Sequence, residues 1–437
     1  MATMGSQAKT PASEGIPLRI NSIQVEGALR TRESVVRQVL APALAAQTFE
    51  SVTQAVHQAC CRLEQLEIMQ DFQVTMDLAS GPLAADHSVD VIIKAKEKGR
   101  FWARTGTELG NSEGSAHTSA TFRNLFGGGE RLALSGSVGT RTRLSQQANL
   151  TIPLGANPYR MFDLALYQQN QNFQATGSHD QLLRGLTVAL KSNLPRFTTE
   201  LGYTAVWRQI TQLGERASPS IRQDADQDLK SAIFGTIFAD RRDNAALPTT
   251  GYMWKLHTEL AGIGGNVEFL KGEAHGQVNE RLGSGFSVST TGRIGALKPV
   301  NGASSRIPDR FLLGGPTSLR GFRPFGVGPR DGCDALGGDV FWSTGVSLFT
   351  PLPVIDSDKL KGHLWANAGG LSALSKNESI REALVGSLAR PTSSVGAGLL
   401  FHHGLFRLEL NLCLPLTKST WDQARQGWQF GLGIDFL

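Results

Sequence analysis

Apolar and polar side chains alternate along nearly every segment after Gly99, and this period of two is the feature that most constrains the fold. In the last two segments, one side is apolar and carries Phe406, Leu408, Leu410 and Leu412, then Trp428, Phe430, Leu432, Ile434 and Phe436. The other side is polar or glycine and carries Arg407, Glu409 and Asn411, then Gln429, Gly431, Gly433 and Asp435. Strands of a membrane barrel alternate in this way, because lipid surrounds the barrel and water fills it.

The composition leaves few other ways to enter a membrane. The chain has 437 residues, 40% of them hydrophobic, and a formal net charge of +5. No run approaches the roughly 18 apolar residues of a membrane-spanning helix, and the 49 glycines disfavour long helices. A chain of this kind can cross a bilayer only as a closed barrel. No block of like charges is present, so we expect no nucleic-acid partner.

The alternating segments number about sixteen, each of roughly ten residues, and an even number is usual in single-chain barrels. Short connections at 155–158, 193–195, 282–285 and 402–404 alternate with longer polar ones such as 169–181 and 211–226. We therefore predict a mainly β fold, with a 16-stranded antiparallel transmembrane β-barrel over residues 99–437. A soluble sandwich or propeller is the alternative, and the absence of a blade-like repeat disfavours it.

A different pattern occupies residues 18–98. An alternating strand begins at Leu18, two amphipathic helices follow, and two further strands complete an α+β unit large enough to fold as a small domain. We expect strand 89–95 to offer an exposed edge for docking. The preceding residues, 1–17, are small and polar, with neither a secretory signal nor a transit peptide, and we predict that they are disordered.

The loop at 299–336 is irregular yet apolar. Its central part, 311–331, is interrupted by Gly314, Gly315, Pro316, Pro324, Gly326, Gly328 and Pro329. It nevertheless carries Phe311, Leu312, Leu313, Phe322, Phe325 and Val327. Long loops without secondary structure are usually functional. We predict that this one folds into the barrel and buries Phe322 and Phe325, that acceptors on the inner wall hold Arg320, and that Gly321 allows a positive φ or a close approach.

Catalytic and metal-binding patterns are weak throughout. The four cysteines show no CxxC spacing, and the adjacent His402 and His403 would point to opposite faces of a strand. No nucleophile stands beside a convincing base and orienting group. The sequence predicts neither an enzyme nor a bound metal or cofactor.

Several of these features together resemble the outer-membrane barrel insertase and translocase superfamily. They are the single small N-terminal domain, the sixteen strands, the segments 240–244 and 248–252, the Leu319-Arg320-Gly321-Phe322 loop tip and a last strand that ends at Phe436. Members of that superfamily carry one or more POTRA domains before the barrel. One POTRA-like domain, no secretory signal and the segments 337–339 and 349–353 most resemble the barrel subunits of the mitochondrial sorting and assembly machinery. The resemblance covers residues 18–437.

The resemblance implies that the protein inserts unfolded β-barrel precursor proteins into the mitochondrial outer membrane. Its partners would be those precursors, peripheral accessory subunits and the lipid bilayer, and the POTRA-like domain would face the intermembrane space. It also implies that Leu319, Arg320, Gly321 and Phe322 form a latch. Bacterial relatives place acidic residues on strands twelve and thirteen to meet the arginine, whereas the matching positions here are Ser347 and Asn367, so we expect neutral acceptors and weaker bonds.

The first barrel strand, 101–109, suggests how insertion would occur. Its outward positions Ala103, Thr105 and Thr107 are small, so its pairing with the last strand at Gln429, Gly431 and Gly433 would lack large cross-strand apolar contacts. Such a seam is a candidate lateral gate. A precursor strand could pair with the exposed edge of the first strand by β-augmentation.

Two other functions remain open. A passive diffusion pore would explain the barrel and even an inward-folded loop, but it would need neither the N-terminal domain nor a weakly apolar first strand. A polypeptide-translocating channel of the same superfamily is the second alternative, although a single POTRA-like domain is less typical of one. The sequence alone does not separate insertion from translocation.

Overall fold

A computed structural model describes residues 16–79, 87–110, 113–140, 142–300, 304–352, 359–375, 378–403 and 406–433. The predicted disordered segment lies outside these residues except for Ile16 and Pro17, and so does the chain end at Phe436. The chain divides into two compact units. One comprises Met1–Trp102, Thr121–Leu132 and Thr151–Met161, and the other comprises Ala103–Ala120, Ala133–Leu150 and Phe162–Leu437.

The first unit contains the small α+β domain in the predicted order. Its elements are β1 (Arg19–Glu26), α1 (Glu33–Leu44), α2 (Phe49–Gln65), β2 (Met69–Leu78) and β3 (Ser88–Glu97). Thr48 caps α2 by accepting a hydrogen bond from the Ser51 backbone, which satisfies one of the helix's free N–H groups. The buried side of α2 carries Val52, Val56, Cys60 and Leu63, at three- and four-residue steps.

The sheet of this domain corrects the prediction of an exposed edge at 89–95. The strand order is β1-β3-β2, so β3 is the central strand, parallel to β1 and antiparallel to β2. The open edges therefore belong to β1 and β2. Strand periodicity predicts the three strands but not their order in the sheet. That order depends on the pairing of β3 with β1, which is distant in sequence.

Sixteen long antiparallel strands form the second sheet and confirm the predicted barrel fold. Before the inward loop they are β4 (Phe101–Gly110), β5 (Glu113–Arg123), β6 (Arg131–Gly139), β7 (Thr142–Pro153), β8 (Arg160–Asn172), β9 (Asp180–Asn193), β10 (Thr198–Thr211), β11 (Gln227–Asp240), β12 (Gly251–Ala261), β13 (Phe269–Gly283) and β14 (Phe286–Pro299). The loop itself contains a small hairpin, β15 (Arg330–Asp331) and β16 (Asp334–Ala335). After it come β17 (Val340–Thr350), β18 (Leu360–Ser372), β19 (Thr392–His403), β20 (Phe406–Thr417) and β21 (Gly427–Gly433).

Neighbours in this sheet follow the chain, from β4 at one end of the order to β21 at the other, and β14 pairs directly with β17 across the inward loop. Short helices lie in the connections: α3 (Gln174–Gly177), α4 (Pro219–Asp224) and α5 (Ile380–Ala389), with 3-10 turns at Leu154–Ala156 and Ile307–Asp309. Within the described ranges, no helix is both long enough and apolar enough to span a membrane.

Exposure along the strands follows the predicted alternation. On β21, Trp428 and Phe430 are 62% and 61% exposed, whereas Gln429 between them is 4% exposed. On β20, Leu410 and Leu412 face outward, and the side chains between and before them are buried. An outer apolar face and an inner polar face are what a barrel in lipid requires.

Candidate functional site

The loop between β14 and β17 packs against the inner wall through an apolar cluster. Leu319 and Phe322 are fully buried in it. The other loop members are Phe311, Leu313 and Val327, and the wall members include Leu297, Phe341 and Leu371. Phe325, predicted to be buried, is only half-buried and lies 6.2 Å from the ring of Phe173.

Gly321, at the tip of this loop, has a φ of 83°. Residues that carry a Cβ atom rarely adopt this backbone conformation. A Cβ atom there would lie 3.0 Å from the Cβ of Ser394 and 3.1 Å from its Oγ. The wall is therefore too close for a larger residue. Both reasons predicted from the sequence, a positive φ and a close approach, apply at this position.

Arg320 is 1% exposed and forms a two-point ion pair with Glu409 on β20. Its Nε donates to Glu409 Oε2 at 2.9 Å, and Nη2 donates to Oε1 at 3.2 Å. The guanidinium also lies 5.4 Å from the ring of Trp365. A fork of this kind is the strong form of an arginine-carboxylate contact.

This geometry corrects the expectation that Arg320 meets only neutral groups. Ser347 instead hydrogen-bonds His363 Nε2 at 3.0 Å. Asn367 reaches the loop indirectly, because the Ser394 hydroxyl lies 2.6 Å from Asn367 Oδ1 and also contacts the Arg320 carbonyl oxygen. The loop tip lies against strands fourteen to sixteen of the sheet, and its acidic partner is on strand fifteen rather than on twelve or thirteen.

Glu409 is shared by two guanidinium groups. It accepts from Arg407 as well as from Arg320, and the Asn411 amide donates to its Oε2 at 2.7 Å. All these groups are buried, and Arg407 also lies over the ring of Phe349. A buried carboxylate is tolerated only with partners of this kind, and removing one charge from such a cluster is costly.

Glu409 lies on the inward face of its strand, as the alternation predicts, but the sequence pattern does not identify it as the latch partner. Two successive inward positions, Arg407 and Glu409, are charged, whereas the inward positions that follow, such as Asn411, are mostly neutral. That pattern marks a buried ion cluster. It does not show that the third member comes from a loop 89 residues earlier in the chain.

The loop tip is also bound to the segment that leads into the last strand. The tip runs antiparallel to it through a bridge between Phe322 and Ala424. Arg323 N–H donates to the carbonyl of Gln423 at 3.0 Å, and Gln423 N–H donates to the carbonyl of Gly326 at 2.7 Å. These are backbone bonds, so they hold the tip whatever the side chains are.

Gln429, predicted as a gate residue, extends this contact onto β21. Its Oε1 accepts from the Gly321 N–H at 2.9 Å, and its Nε2 donates to the Phe322 carbonyl at 3.0 Å. Gly431 is buried two residues further along the same strand. The structure thus joins one predicted gate residue to two predicted latch residues.

The other predicted gate residues, Ala103, Thr105 and Thr107, are exposed on β4, the strand at the opposite end of the sheet order. Between them, Gly106 faces the imidazole of His117 on β5, and a Cβ at this glycine would lie 2.8 Å from His117 Cε1. A glycine between small residues gives this strand little side-chain surface to offer a neighbour.

Comparisons with known proteins show to which family this chain belongs. The Omp85 superfamily domain matches residues 124–436. A SAM50-like protein of Schizosaccharomyces pombe is 38% identical over 97% of this chain and 91% of its own length. The sorting and assembly machinery component 50 homolog of Homo sapiens is 32% identical over 99% of this chain and 93% of its own length.

Among solved structures, that of BamA from Haemophilus ducreyi lacking POTRA domains 1–3 superposes with a TM-score of 0.80, at 17% identity, over 95% of this chain and 85% of the other. At that identity the likeness concerns the fold alone. Family membership rests on the domain match and on the full-length similarity of sequence. The chain belongs to the Omp85 superfamily and, within it, to the family of sorting and assembly machinery component 50.

Proposed function

We propose that this protein inserts and assembles β-barrel precursor proteins in the mitochondrial outer membrane, through a lateral gate between β4 and β21. The family assignment supports the reaction, since its relatives are named as components of a sorting and assembly machinery. The proposed partners are unfolded precursors, accessory subunits of an assembly complex and lipid. The proposed orientation places the POTRA-like domain in the intermembrane space.

One observation carries the proposal most strongly: the loop tip holds the last two strands of the sheet. Glu409 on β20 and Gln429 on β21 both bind residues 320–322. These contacts join the loop tip to β20 and β21 and involve no residue of β4. The last strands therefore have a support inside the barrel that does not depend on the seam.

The gate would work through strand pairing. If β4 separates from β21, its edge presents unpaired N–H and C=O groups, and a precursor strand can satisfy them. Precursor hairpins can then be added one after another. No energy source is required, because closing backbone hydrogen bonds and burying apolar faces in lipid already favour the product. The proposed chemistry is therefore binding and release, without catalysis of a covalent step.

A passive pore is the alternative, and it would also accommodate an inward-folded loop. A pore does not account for the way in which the loop is held: an apolar cluster and a buried ion pair pack it against the inner wall, and its tip binds the last two strands. A polypeptide channel of the same superfamily would differ from an insertase only in the route of its substrate, which would cross the lumen instead of leaving through the seam. The test must therefore follow the substrate strand.

The experiment is site-specific crosslinking of a precursor during assembly. Single cysteines are placed on β4 at 103, 105 and 107, and matched control cysteines are placed at Leu256 and Thr258 on the outward face of β12 in the middle of the sheet. A precursor with a cysteine in its last strand should crosslink to β4 and not to β12. Equal crosslinking to both strands, or no crosslinking to β4, would contradict the lateral gate.

A further inference from the structure

A second buried ion cluster holds the other limb of the same loop. Arg208 on β10 is 3% exposed. Its Nη1 and Nη2 donate to the two carboxylate oxygens of Asp309, in the loop, at 2.5 and 2.9 Å. Its Nε donates to Asp228 on the neighbouring strand β11 at 2.5 Å. One guanidinium therefore uses all three of its nitrogens to join two wall strands to the loop.

Neighbouring groups fix the same limb. Lys271 on β13 donates to the Asp309 carbonyl at 2.6 Å, and its ammonium lies 4.4 Å from the ring of Phe311. Asp224 at the end of α4 accepts from Arg306 and from the Ile307 backbone, at 2.9 and 2.7 Å. The limb 306–311 is thus held from several directions by charged groups.

The two anchors lie far apart in the sheet. Arg208 and Asp228 are on the seventh and eighth strands of the sheet, whereas Glu409 is on the fifteenth. Six strands separate β11 from β20 in the sheet order, namely β12, β13, β14, β17, β18 and β19. The loop is therefore fixed at two distant parts of the wall, and its entry limb sets how far its tip can reach.

We propose that Arg208 is a positioning residue: with Asp228 and Asp309 it forms a second anchor that delivers the loop tip to Glu409 and Gln429. The importance of that delivery for precursor assembly rests on the proposed function. The planar fork is essential, because a lysine at 208 would keep the charge but could not engage both carboxylates with fixed geometry. The anchor is an arrangement of one guanidinium between two carboxylates, so exchanging the partners preserves it.

The test compares three variants in the full-length protein: Arg208→Ala, Arg208→Lys, and the exchange Arg208→Asp with Asp309→Arg. The exchange keeps one guanidinium and two carboxylates at the site. The matched control is Arg293→Gln, which removes an ion pair of 3.0 Å between Arg293 on β14 and Glu273 on β13. Each protein is purified in detergent, and its folding is checked by heat-resistant mobility in a gel. Its loop is then digested with chymotrypsin, which has targets at Phe311, Phe322 and Phe325 that none of the variants alters.

We expect cleavage within the loop to be at least tenfold faster in Arg208→Ala and Arg208→Lys than in the parent. The exchange should return the rate to within about threefold, and Arg293→Gln should not change it. This pattern separates positioning from general stability, because rescue by the exchange requires the specific triad. Precursor assembly measured on the same proteins should fall and recover together with loop protection.

The outcomes are distinguishable. A folded Arg208→Lys with the parent's loop protection overturns the anchor, and so does a folded exchange variant that stays unprotected. If Arg208→Ala does not fold, these two variants still decide. A released loop together with full precursor assembly would uphold the anchor while contradicting the role of the loop in the proposed function.

Discussion

Gln429 on the last strand holds the loop tip from both sides, accepting from the Gly321 N–H at 2.9 Å and donating to the Phe322 carbonyl at 3.0 Å. The residue that sequence reasoning assigned to the seam is thus also a contact of the latch. Any movement of β21 at the seam must therefore pull on the loop, and any release of the loop removes a support of β21. We expect the two sites to behave as one in mutational tests.

The first prediction concerns this amide. Gln429→Ala removes both bonds, and leaving buried backbone groups without a partner costs about 1–3 kcal/mol each. In Gln429→Glu the ionised carboxylate keeps an acceptor for Gly321 but cannot donate to Phe322, and it places a charge at a buried position, so its effect should be at least as severe. Precursor assembly and protection of the loop from chymotrypsin should both decrease. Gln147→Ala, on the exposed face of β7, is the control and should change neither; parental values for both quantities in Gln429→Ala would refute the coupling.

The second prediction concerns the arginine at the tip. Arg320→Ala should impair precursor assembly more than it lowers the amount of folded barrel, because losing charged hydrogen bonds costs about 1.5–3 kcal/mol and the sixteen-stranded ladder is unaffected. Arg320→Lys should also fail, since an ammonium cannot reproduce the two-point contact with Glu409. The measurements are assembly of a precursor in isolated membranes and the heat-resistant band. Unchanged assembly with either variant would count against a functional latch.

The third prediction separates the two members of the pair. Glu409→Gln should destabilise the barrel more than Arg320→Ala, because it removes the carboxylate that Arg320 and Arg407 share. Removing one partner of a buried ion pair typically costs about 3–5 kcal/mol. Arg320→Ala leaves Glu409 with Arg407 still bound. Thermal loss of the heat-resistant band should therefore occur at the lowest temperature for Glu409→Gln; the reverse order would show that Arg407 does not share the carboxylate in the membrane.

Sequence reasoning recovered the elements and the faces of the strands. The alternation at Trp428, Gln429 and Phe430 predicts which side chains meet lipid, since a period of two is a local property of a strand. The apolar residues of the irregular loop likewise predict that it packs inside the barrel and buries Phe322. These features follow from local sequence patterns, so the sequence alone is enough to predict them.

Contacts between residues that are distant in sequence cannot be predicted in the same way. Arg320 was assigned to Ser347 and Asn367 by resemblance, whereas the fold brings it to Glu409. The central position of β3 in the small sheet was missed for a similar reason. Each error concerns which of several compatible strands lies nearest, and that depends on the curvature of the sheet and the reach of the loop rather than on any local pattern.

The fourth prediction concerns pH and the POTRA-like domain. Partial burial alone would raise the pKa of Glu97, but hydrogen bonds from the Arg30 backbone and from the Thr31 hydroxyl and backbone outweigh burial and lower this pKa. A carboxyl group whose pKa is lowered by folding stabilises the fold above its unfolded pKa of about 4.3. That contribution is lost as the pH falls through the lowered folded value.

Glu97→Gln should therefore speed proteolysis of the domain at pH 7, and the difference from the parent should shrink as the pH approaches 4 and below. The measurement is digestion of the full-length protein with a protease that is active across this range. Glu33→Gln is the control, since its ion pair with Arg37 is highly exposed and should contribute little. A difference between Glu97→Gln and the parent that is independent of pH would contradict the assignment.

The fifth prediction is the seam itself, and the structure changes how it must be tested. Gly431 faces inward whereas Ala103, Thr105 and Thr107 face outward, and a disulfide needs both side chains on the same face of the sheet. Cysteines at Ala103, Thr105 or Thr107 are therefore combined with cysteines at Trp428 or Phe430, the exposed positions of β21. A cysteine at Gln429 is a poor partner, because this position faces inward and the substitution removes the contact with the loop. The native thiols, Cys60, Cys61, Cys333 and Cys413, are replaced first.

A disulfide forms only where the Cα atoms lie within roughly 4.4 to 6.8 Å, so most pairs in this panel should stay reduced and serve as controls for the substitutions themselves. The pair that oxidises should stop release of assembled precursor, and reductant should restore it, because a covalent seam denies the precursor the edge of β4. A pore or a lumenal channel has no need of an open seam and should work equally well in both states. Full assembly by a protein whose crosslink has been verified would therefore exclude the lateral gate and leave passage through the lumen as the route.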